Sequence, residues 1–154
     1  MYSHKQKGFL IIFLLVPTII FIGIYIYDIT SLVGKPVWVM PLLIFIFGAM
    51  TFALISFYAM EIVVKNNTIF MKLGIGVIKK EFKISSIESI KIVKNKMWYG
   101  WGIRWIPGGT LYNVSGLDAV ELIIKDGRKI RLGTDDPQEL YNVIVREMDL
   151  LGNN

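Results

Sequence analysis

The stretch "AVELIIKDGRKIRLGT", residues 119–134, is the clearest β-hairpin signal in the chain. Apolar residues alternate with polar ones on both sides of an Asp-Gly pair, which is typical of two strands joined by a tight turn. A three-residue loop over 125–127 with Gly127 in the left-handed region places Leu122 opposite Ile130. We therefore predict that both apolar rows of the hairpin face one core.

The same register makes a second prediction for the outer face of the hairpin. It places Glu121 directly opposite Arg131. Oppositely charged residues at facing positions of an antiparallel pair attract each other. We expect a cross-strand ion pair here, so Arg131 is assigned to structure and not to a ligand site.

A helix is predicted directly after the hairpin. Asp136 is placed to cap it, Pro137 suits its first turn and Glu139 adds an acidic start. One apolar stripe follows at helical spacing: Leu140, Val143, Ile144, Met148 and Leu151. A stripe of this kind at the end of a small β domain is expected to cover its core.

The chain before the hairpin, from Glu61 onward, consists of short β-like runs separated by turn signals. In "KISSIESIKIVKN", residues 83–95, Ser85 and Glu88 form a weak capping box, which predicts one helical turn leading into a strand from about Ile90. About seven strands are expected in total.

This order of elements resembles the bacterial pleckstrin-homology-like (PH-like) domains, which often follow paired membrane helices. The resemblance covers residues 61–150, and its most characteristic part is "GIRWIPGGTLYNVSGLDAVELIIKDGRKIRLGTDDPQEL", residues 102–140. It implies an α+β fold, with a PH-like barrel of about seven antiparallel strands and a C-terminal capping helix. No catalytic motif comes with it.

Two long uncharged runs, at about 9–27 and 37–60, precede this domain. Each is long enough to cross a bilayer as a helix. The first has no A-x-A-like cleavage site after it, so an uncleaved anchor is expected. The prediction is a transmembrane helical hairpin over 1–60, joined through 28–36, and a second domain over 61–154.

Composition and charge support a membrane location. Mean hydropathy is +0.55 and only 19% of residues are charged. Lys5 and Lys7 precede the first run, and residues 65–96 contain eight lysines and two glutamates. Because positive charge is enriched on the cytoplasmic side, a multi-pass protein of the cell membrane with both termini cytoplasmic is expected.

Small residues recur on one face of the second apolar run: Ala49, Ala53, Ser56 and Ala59, of which the first three are the predicted helix-packing residues. Small side chains let helix backbones approach closely in lipid. They predict either packing against the first helix or association with a second copy of the chain.

The sequence offers little for catalysis. It contains no cysteine, and His4 is its only histidine, so a Ser-His-acid triad within the domain and a typical zinc site are not expected. Asp135 and Asp136 are better explained by helix capping than by metal binding. We expect no enzyme activity, no cofactor and no metal.

The segment "NKMWYGWGIRWIPGGTLYNVSG", residues 95–116, holds three of the four tryptophans. Their rings fill the core, lie in the headgroup layer or dock a soluble or peptide ligand, and nearby cations suit anionic lipid. The candidate contact residues are Lys94, Lys96, Trp98, Trp101, Arg104 and Trp105.

The sequence therefore predicts a non-enzymatic membrane protein whose PH-like domain binds lipid headgroups, a protein partner or another copy of itself. The alternative is a subunit of a membrane transport or envelope assembly that acts through its transmembrane helices. Nucleic acid is not expected as a partner, because the basic half adjoins the membrane segments, where lipid phosphates are the nearer anions.

Overall fold

The computed structural model describes residues 2–31 and 39–152 as an α+β fold with three α-helices and two β-sheets. Two short 3₁₀ turns, Ile84–Ser86 and Met97–Tyr99, flank the fifth strand. The elements are β1 (Tyr2–Lys7), α1 (Phe9–Ser31), α2 (Val39–Phe57), β2 (Ala59–Lys65), β3 (Thr68–Leu73), β4 (Ile78–Lys83), β5 (Ile87–Lys94), β6 (Gly102–Ile106), β7 (Gly109–Asn113), β8 (Asp118–Ile124), β9 (Lys129–Gly133) and α3 (Pro137–Gly152).

The nine strands of the described residues form two separate sheets. Sheet A has the order β1-β2-β3-β4, and sheet B has the order β5-β8-β9-β7-β6. All neighbours are antiparallel except β7 and β9, which are parallel. The predicted α+β class is confirmed, but the predicted barrel of about seven antiparallel strands is not: the described residues form nine strands, one neighbouring pair is parallel, and the two sheets do not close into a barrel.

Strand β1 lies before the apolar helices and yet belongs to sheet A. It pairs with β2 from Tyr2 opposite Val64 to Lys7 opposite Ala59. The two helices thus occupy the place of a hairpin turn between β1 and β2. The predicted division into 1–60 and 61–154 separates β1 from the sheet to which it is hydrogen-bonded.

The two apolar helices differ in length. One helix of the described residues, through Ile11–Asp28, is long and apolar enough to cross a membrane, and the apolar part of α2, Pro41–Phe57, is shorter. The predicted span 37–60 ends early, because α2 stops at Phe57 and the chain enters β2 at Ala59. Helices α1 and α2 contact each other. Residues 32–38, which include most of the predicted connection, lie outside the described residues.

The main core lies between the two sheets and under α3. Its fully buried side chains come from inward positions of both sheets, such as Met71 and Leu122, and from Leu140 and Ile144 of α3. The predicted cap is confirmed, since the backbone N–H of Glu139 donates to Asp136 Oδ1 over 3.1 Å. The amphipathic C-terminal helix therefore covers the core as its sequence indicates.

The predicted β8–β9 register is confirmed. Leu122 lies opposite Ile130 and Glu121 lies opposite Arg131, with Gly127 at a φ of 84° in the turn. The predicted capping box is wrong, because the turn Ile84–Ser86 has no side-chain cap hydrogen bond. Strand β5 then begins at Ile87, slightly earlier than expected.

Candidate membrane-surface site

The two sheets share an end from which both apolar helices emerge, and we call it the helix-side end. There the backbone N–H of Gly8 donates to the carbonyl of Tyr58 over 2.7 Å, which extends the β1–β2 ladder to the helix junction. The opposite end, which carries the turns at 107–108 and 125–128, is the far end. Every candidate residue can be assigned to one of these ends.

Trp101 lies at the helix-side end, against the first turns of α1. On one side, the half-buried Trp101 lines an open groove together with Phe9 and Phe13. On the other side it lines a crevice of about 400 Å³ between the helices and β6. The crevice is lined by Ile11, Leu14, Leu15, Ala53, Phe57, Gly100, Trp101, Gly102, Ile103 and Arg104. An apolar crevice at the base of two apolar helices has the composition of a site for an acyl chain.

Among the described residues that line this crevice, Arg104 is the only cation. Its side chain passes over Gly100, where a Cβ would lie 3.7 Å from Arg104 Nε, and Gly100 also has a φ of 68°. Arg104 makes no ion pair with any described residue. An exposed guanidinium beside an apolar crevice is suited to a phosphate, which it binds bidentately.

Trp98 and Lys96 form a second, exposed group on the segment that leads to Trp101. Trp98 is 77% exposed, and Lys96 Nζ lies 5.1 Å from the centroid of its ring. The ring of Tyr99 meets Trp98 edge-on at 6.5 Å. A cation above an aromatic face is attracted to it, and amphipathic rings of this kind favour the headgroup layer.

The other two candidate residues lie on strands. Lys94 is the last residue of β5, opposite Asp118, and forms no ion pair with any described residue. Trp105 lies on β6, about 10 Å along the strand from Gly102 and toward the far end. The six candidate residues therefore do not form one surface. Trp101 and Arg104 line the crevice, Lys94, Lys96 and Trp98 precede it in sequence, and Trp105 lines a different cleft.

Sequence reasoning missed an apolar turn on the other side of the helices. Ile75, in the turn between β3 and β4, is 71% exposed and lines a shallow groove with Ile12 and Leu54. The preceding Gly74 has a φ of 58°, and a Cβ there would lie 2.0 Å from the carbonyl oxygen of Ile55. The turn therefore lies against α2. Its exposed apolar tip was the available signal, but the sequence indicated only a turn.

The three small residues of α2 have different environments. Ala49 is exposed, Ala53 lines the crevice together with residues of α1, and Ser56 is buried. The Ser56 carbonyl oxygen lies only 2.8 Å from the position of a Cβ on Gly74, so Ser56 packs against the domain. These residues do not present one free face of α2.

A buried carboxylate lies on the outer face of sheet B. Glu121 is fully buried, and it accepts a hydrogen bond of 2.6 Å from Arg131 Nε, with Lys91 Nζ 3.1 Å and Lys129 Nζ 3.9 Å away. Burial alone raises the pKa of Glu121, but the hydrogen bonds from Arg131 and Lys91 outweigh it, and the net pKa is lowered. The predicted ion pair is confirmed and is structural.

His4 is engaged in a structural contact. Its Nε2 is hydrogen-bonded to Asp135 Oδ1, which ties β1 to the segment before α3. The neighbouring Tyr2 ring stacks on His4 at 6.3 Å, and burial together with Glu139 raises the pKa of the Tyr2 hydroxyl. Among residues 2–31 and 39–152, no group of three His, Asp or Glu side chains is arranged to hold a metal ion.

Comparison of the chain with protein-family models, with curated proteins and with solved structures finds no match. The class that the fold defines is an α+β domain into which two apolar helices are inserted after the first strand.

Proposed function

We propose that this chain is a non-enzymatic integral membrane protein whose α+β domain lies against the cytoplasmic leaflet and binds anionic lipid headgroups at the helix-side crevice. One observation carries the proposal. The crevice joins an apolar interior to the unpaired Arg104 at the level where the helices leave the domain. A lipid acyl chain would fill the apolar crevice, and the phosphate of the same lipid would bind the Arg104 guanidinium.

The pairing of β1 with β2 supports two membrane crossings. Because residues before α1 and after α2 share sheet A, both must lie on the same side of any membrane. If α1 crosses a membrane, the chain has to cross it again before β2, and we propose that α2 is the returning segment. Helix α2 has 19 residues, about 28 Å at 1.5 Å per residue, close to the hydrocarbon thickness of a bilayer.

Charge and side-chain character support the orientation. Lys5 and Lys7 directly precede α1, and positive residues near membrane helices favour the cytoplasmic side. Exposed Trp98 and Ile75 extend from the helix-side end in different elements. Amphipathic rings and apolar tips at that level suit the boundary between headgroups and hydrocarbon.

The resemblance to PH-like domains is part of the proposal. The C-terminal helix over two mostly antiparallel sheets supports it. The parallel β7–β9 pair and the strand before the helices depart from the expected pattern. A lipid-facing role does not depend on this resemblance, because it follows from the crevice and the helices.

The test is lipid binding by the full chain, since β1 makes the 61–154 fragment incomplete. We would purify the protein in detergent and titrate short-chain phosphatidylglycerol and phosphatidylcholine, following thermal stabilisation. Phosphatidylglycerol should stabilise more. Arg104→Gln and Lys96→Gln should each weaken its binding about fivefold, since a basic residue near anionic lipid contributes about 1 kcal/mol.

Lys125→Gln is the matched control. It removes the same charge from the exposed far-end turn between β8 and β9, and it should leave phosphatidylglycerol binding within about twofold of the parent. If Arg104→Gln and Lys125→Gln have equal effects, the lipid site is not at the crevice. The domain would then bind a protein partner or another copy of itself at the membrane surface.

The alternative function, a subunit of a transport or envelope assembly, is favoured by the exposure of Ala49 on α2. A small exposed residue permits a second helix to approach closely. Ala49→Leu should then abolish cross-linked oligomers in membranes, and Ala53→Leu, on the side facing α1, should not. Unchanged oligomers in Ala49→Leu would contradict the alternative.

A further inference from the structure

The core between the two sheets is incomplete at one side. One row of facing positions runs across β6, β7, β9 and β8 of sheet B. It consists of Trp105, Thr110, Ile130 and the fully buried Leu122. Residues at facing positions share a face of the sheet. Trp105 is therefore on the core face of sheet B, and yet 90% of it is exposed. Sheet A does not extend over it.

Sheet A shows the matching feature on its edge strand. Lys80 lies opposite Met71, which lies opposite Ile62, and both of these are buried core residues. Lys80 is thus a lysine at a core-face position, next to the inward Phe82. It is exposed and forms no ion pair with any described residue.

These two core faces bound a cleft of about 600 Å³. Phe82 and Tyr112 form its inner wall, with their ring centroids 6.3 Å apart, and Trp105 projects at its side. A cleft of this volume, lined by apolar side chains and a few polar groups, is typical of a small-molecule site. The cleft is therefore shaped like an unfilled section of core with an aromatic wall and a cationic rim.

The charges at the rim are not equivalent. Arg128 pairs with Asp126 at 2.7 Å, and Lys129 lies within 3.9 Å of Glu121, so both are partly neutralised. Glu81 is the acidic residue among those lining the cleft. Lys80 and Lys83 remain without an ion pair among the described residues. The cleft has a net positive character.

The cleft lies toward the far end of the domain. β4 runs from Ile78, beside the helix-side turn, to Lys83, and β6 runs from Gly102 to Ile106 in the same sense. The lining includes Ser86 and Arg128, which belong to far-end turns. The bilayer in which the helices insert is at the other end, so a ligand here comes from solution.

We infer that this cleft is a second binding site, which takes a soluble planar organic anion: a flat ring that stacks on Trp105 and carries a phosphate or carboxylate group bound by Lys80. Stacking of a ring on an exposed tryptophan and a charge-assisted hydrogen bond from a lysine are each substantial contributions. The cleft is formed by the two sheets and does not depend on lipid binding at the crevice. That its ligand comes from solution rests on the proposed membrane orientation.

The test separates the ring from the anion with four probes. Adenosine monophosphate has both, nicotinate has a ring with a carboxylate, adenosine has the ring alone, and inorganic phosphate has the anion alone. Each is titrated by calorimetry into the full chain in detergent. At least one of the first two should bind, and more tightly than adenosine and inorganic phosphate by about tenfold or more. Which one binds tells a phosphate ligand from a carboxylate ligand.

Variants locate the site. Lys80→Gln and Trp105→Ala should each weaken the bound probe by about fivefold to tenfold, while thermal unfolding shows that both variants fold. Lys79→Gln, one residue away on the opposite face of β4, and Trp98→Ala, at the other exposed tryptophan, should bind as the parent does within about twofold. They are matched controls for charge and for ring.

Two results would overturn the inference. One is that neither ring-bearing anion binds at roughly 5 mM, a concentration at which binding with a Kd above 1 mM is still detected. The other is equal weakening by Lys80→Gln and Lys79→Gln. Lys80 would then be a charged edge residue that prevents sheet-to-sheet association, as edge lysines do in other sheets.

Discussion

Trp101 and Trp105 are separated by three residues, but they lie at opposite ends of the domain. Trp101 is half-buried against α1 and beside the apolar crevice, whereas Trp105 is 90% exposed at a cleft that opens away from the helices. The difference arises because a strand advances about 3.3 Å per residue, so few residues carry the chain across a small sheet. Tryptophans clustered in sequence need not share a function.

The helix junction and the far-end cleft also differ in how they are filled. At the helix junction, glycines allow backbone segments to touch, as at Gly8, where a Cβ would lie 2.8 Å from the carbonyl oxygen of Phe57. At the far end the core faces of β4 and β6 diverge around open space. Tight packing implies that substitutions cost stability, and open space implies that they change binding. The following predictions test this contrast.

The largest effect is expected where a buried charge has partners. Arg131→Met leaves the fully buried Glu121 without its closest cation, and this should lower the free energy of unfolding by about 3–5 kcal/mol. Lys80→Met removes a lysine that has no such partner and should change it by less than about 0.5 kcal/mol. Denaturant unfolding in detergent measures both. Equal costs would contradict the assigned difference between the two cations.

The same carboxylate predicts a pH dependence. Although burial alone raises its pKa, the hydrogen bonds from Arg131 and Lys91 outweigh it and place the folded pKa of Glu121 below its unfolded value. This stability is present above the unfolded pKa, about 4.3, and is lost as pH falls through the folded pKa. Glu121→Gln should remove this contribution to the loss of folding stability at low pH. An unchanged pH profile would show that Glu121 does not contribute to it.

A smaller effect is expected from a pair of glycines. Gly74 and Gly127 both have positive φ, but a Cβ at Gly74 meets the Ile55 carbonyl at 2.0 Å and at Gly127 meets nothing within 4 Å. Gly74→Ala should therefore cost about 2–4 kcal/mol, from overpacking and strain, and Gly127→Ala only about 1 kcal/mol of strain. Thermal unfolding of both variants is the measurement. A Gly74→Ala protein as stable as Gly127→Ala would mean that the turn does not rest on α2.

The smallest change in the free energy of unfolding is expected for substitutions of the tryptophans. Trp101→Ala removes a half-buried ring from the junction with α1 and should cost about 2 kcal/mol. Trp105→Ala removes an exposed ring and should change the free energy of unfolding by less than about 0.5 kcal/mol. Comparable losses in denaturant unfolding would show that Trp105 is packed and that the cleft is closed.

Local signals predicted the second half of the domain well. The alternation around Gly127 fixed the β8–β9 register, and Asp136 with the apolar stripe predicted α3. Strand β1 was missed because its partner β2 lies about 50 residues later, beyond two helices, and no local pattern reports such a pairing.

The candidate site was predicted only in part. Trp101 and Arg104 were selected for composition, and they do line one crevice. The cleft was not predicted, because it depends on where two sheets part. One signal was available: the two-residue period of a strand over 102–106 places Arg104 and Trp105 on opposite faces. The glycines around these residues obscured that strand.

The most direct test of the account is the depth of the two tryptophans relative to lipid. Two variants keep either Trp101 or Trp105 as the single tryptophan, with phenylalanine at the other three positions, and both are reconstituted in vesicles. Lipids brominated on their acyl chains should quench the fluorescence of Trp101 strongly and leave Trp105 nearly unchanged, while aqueous acrylamide should do the reverse. Equal quenching of both rings by the brominated lipid, or of neither, would contradict the claim that the helix-side end meets the membrane and the far end faces water.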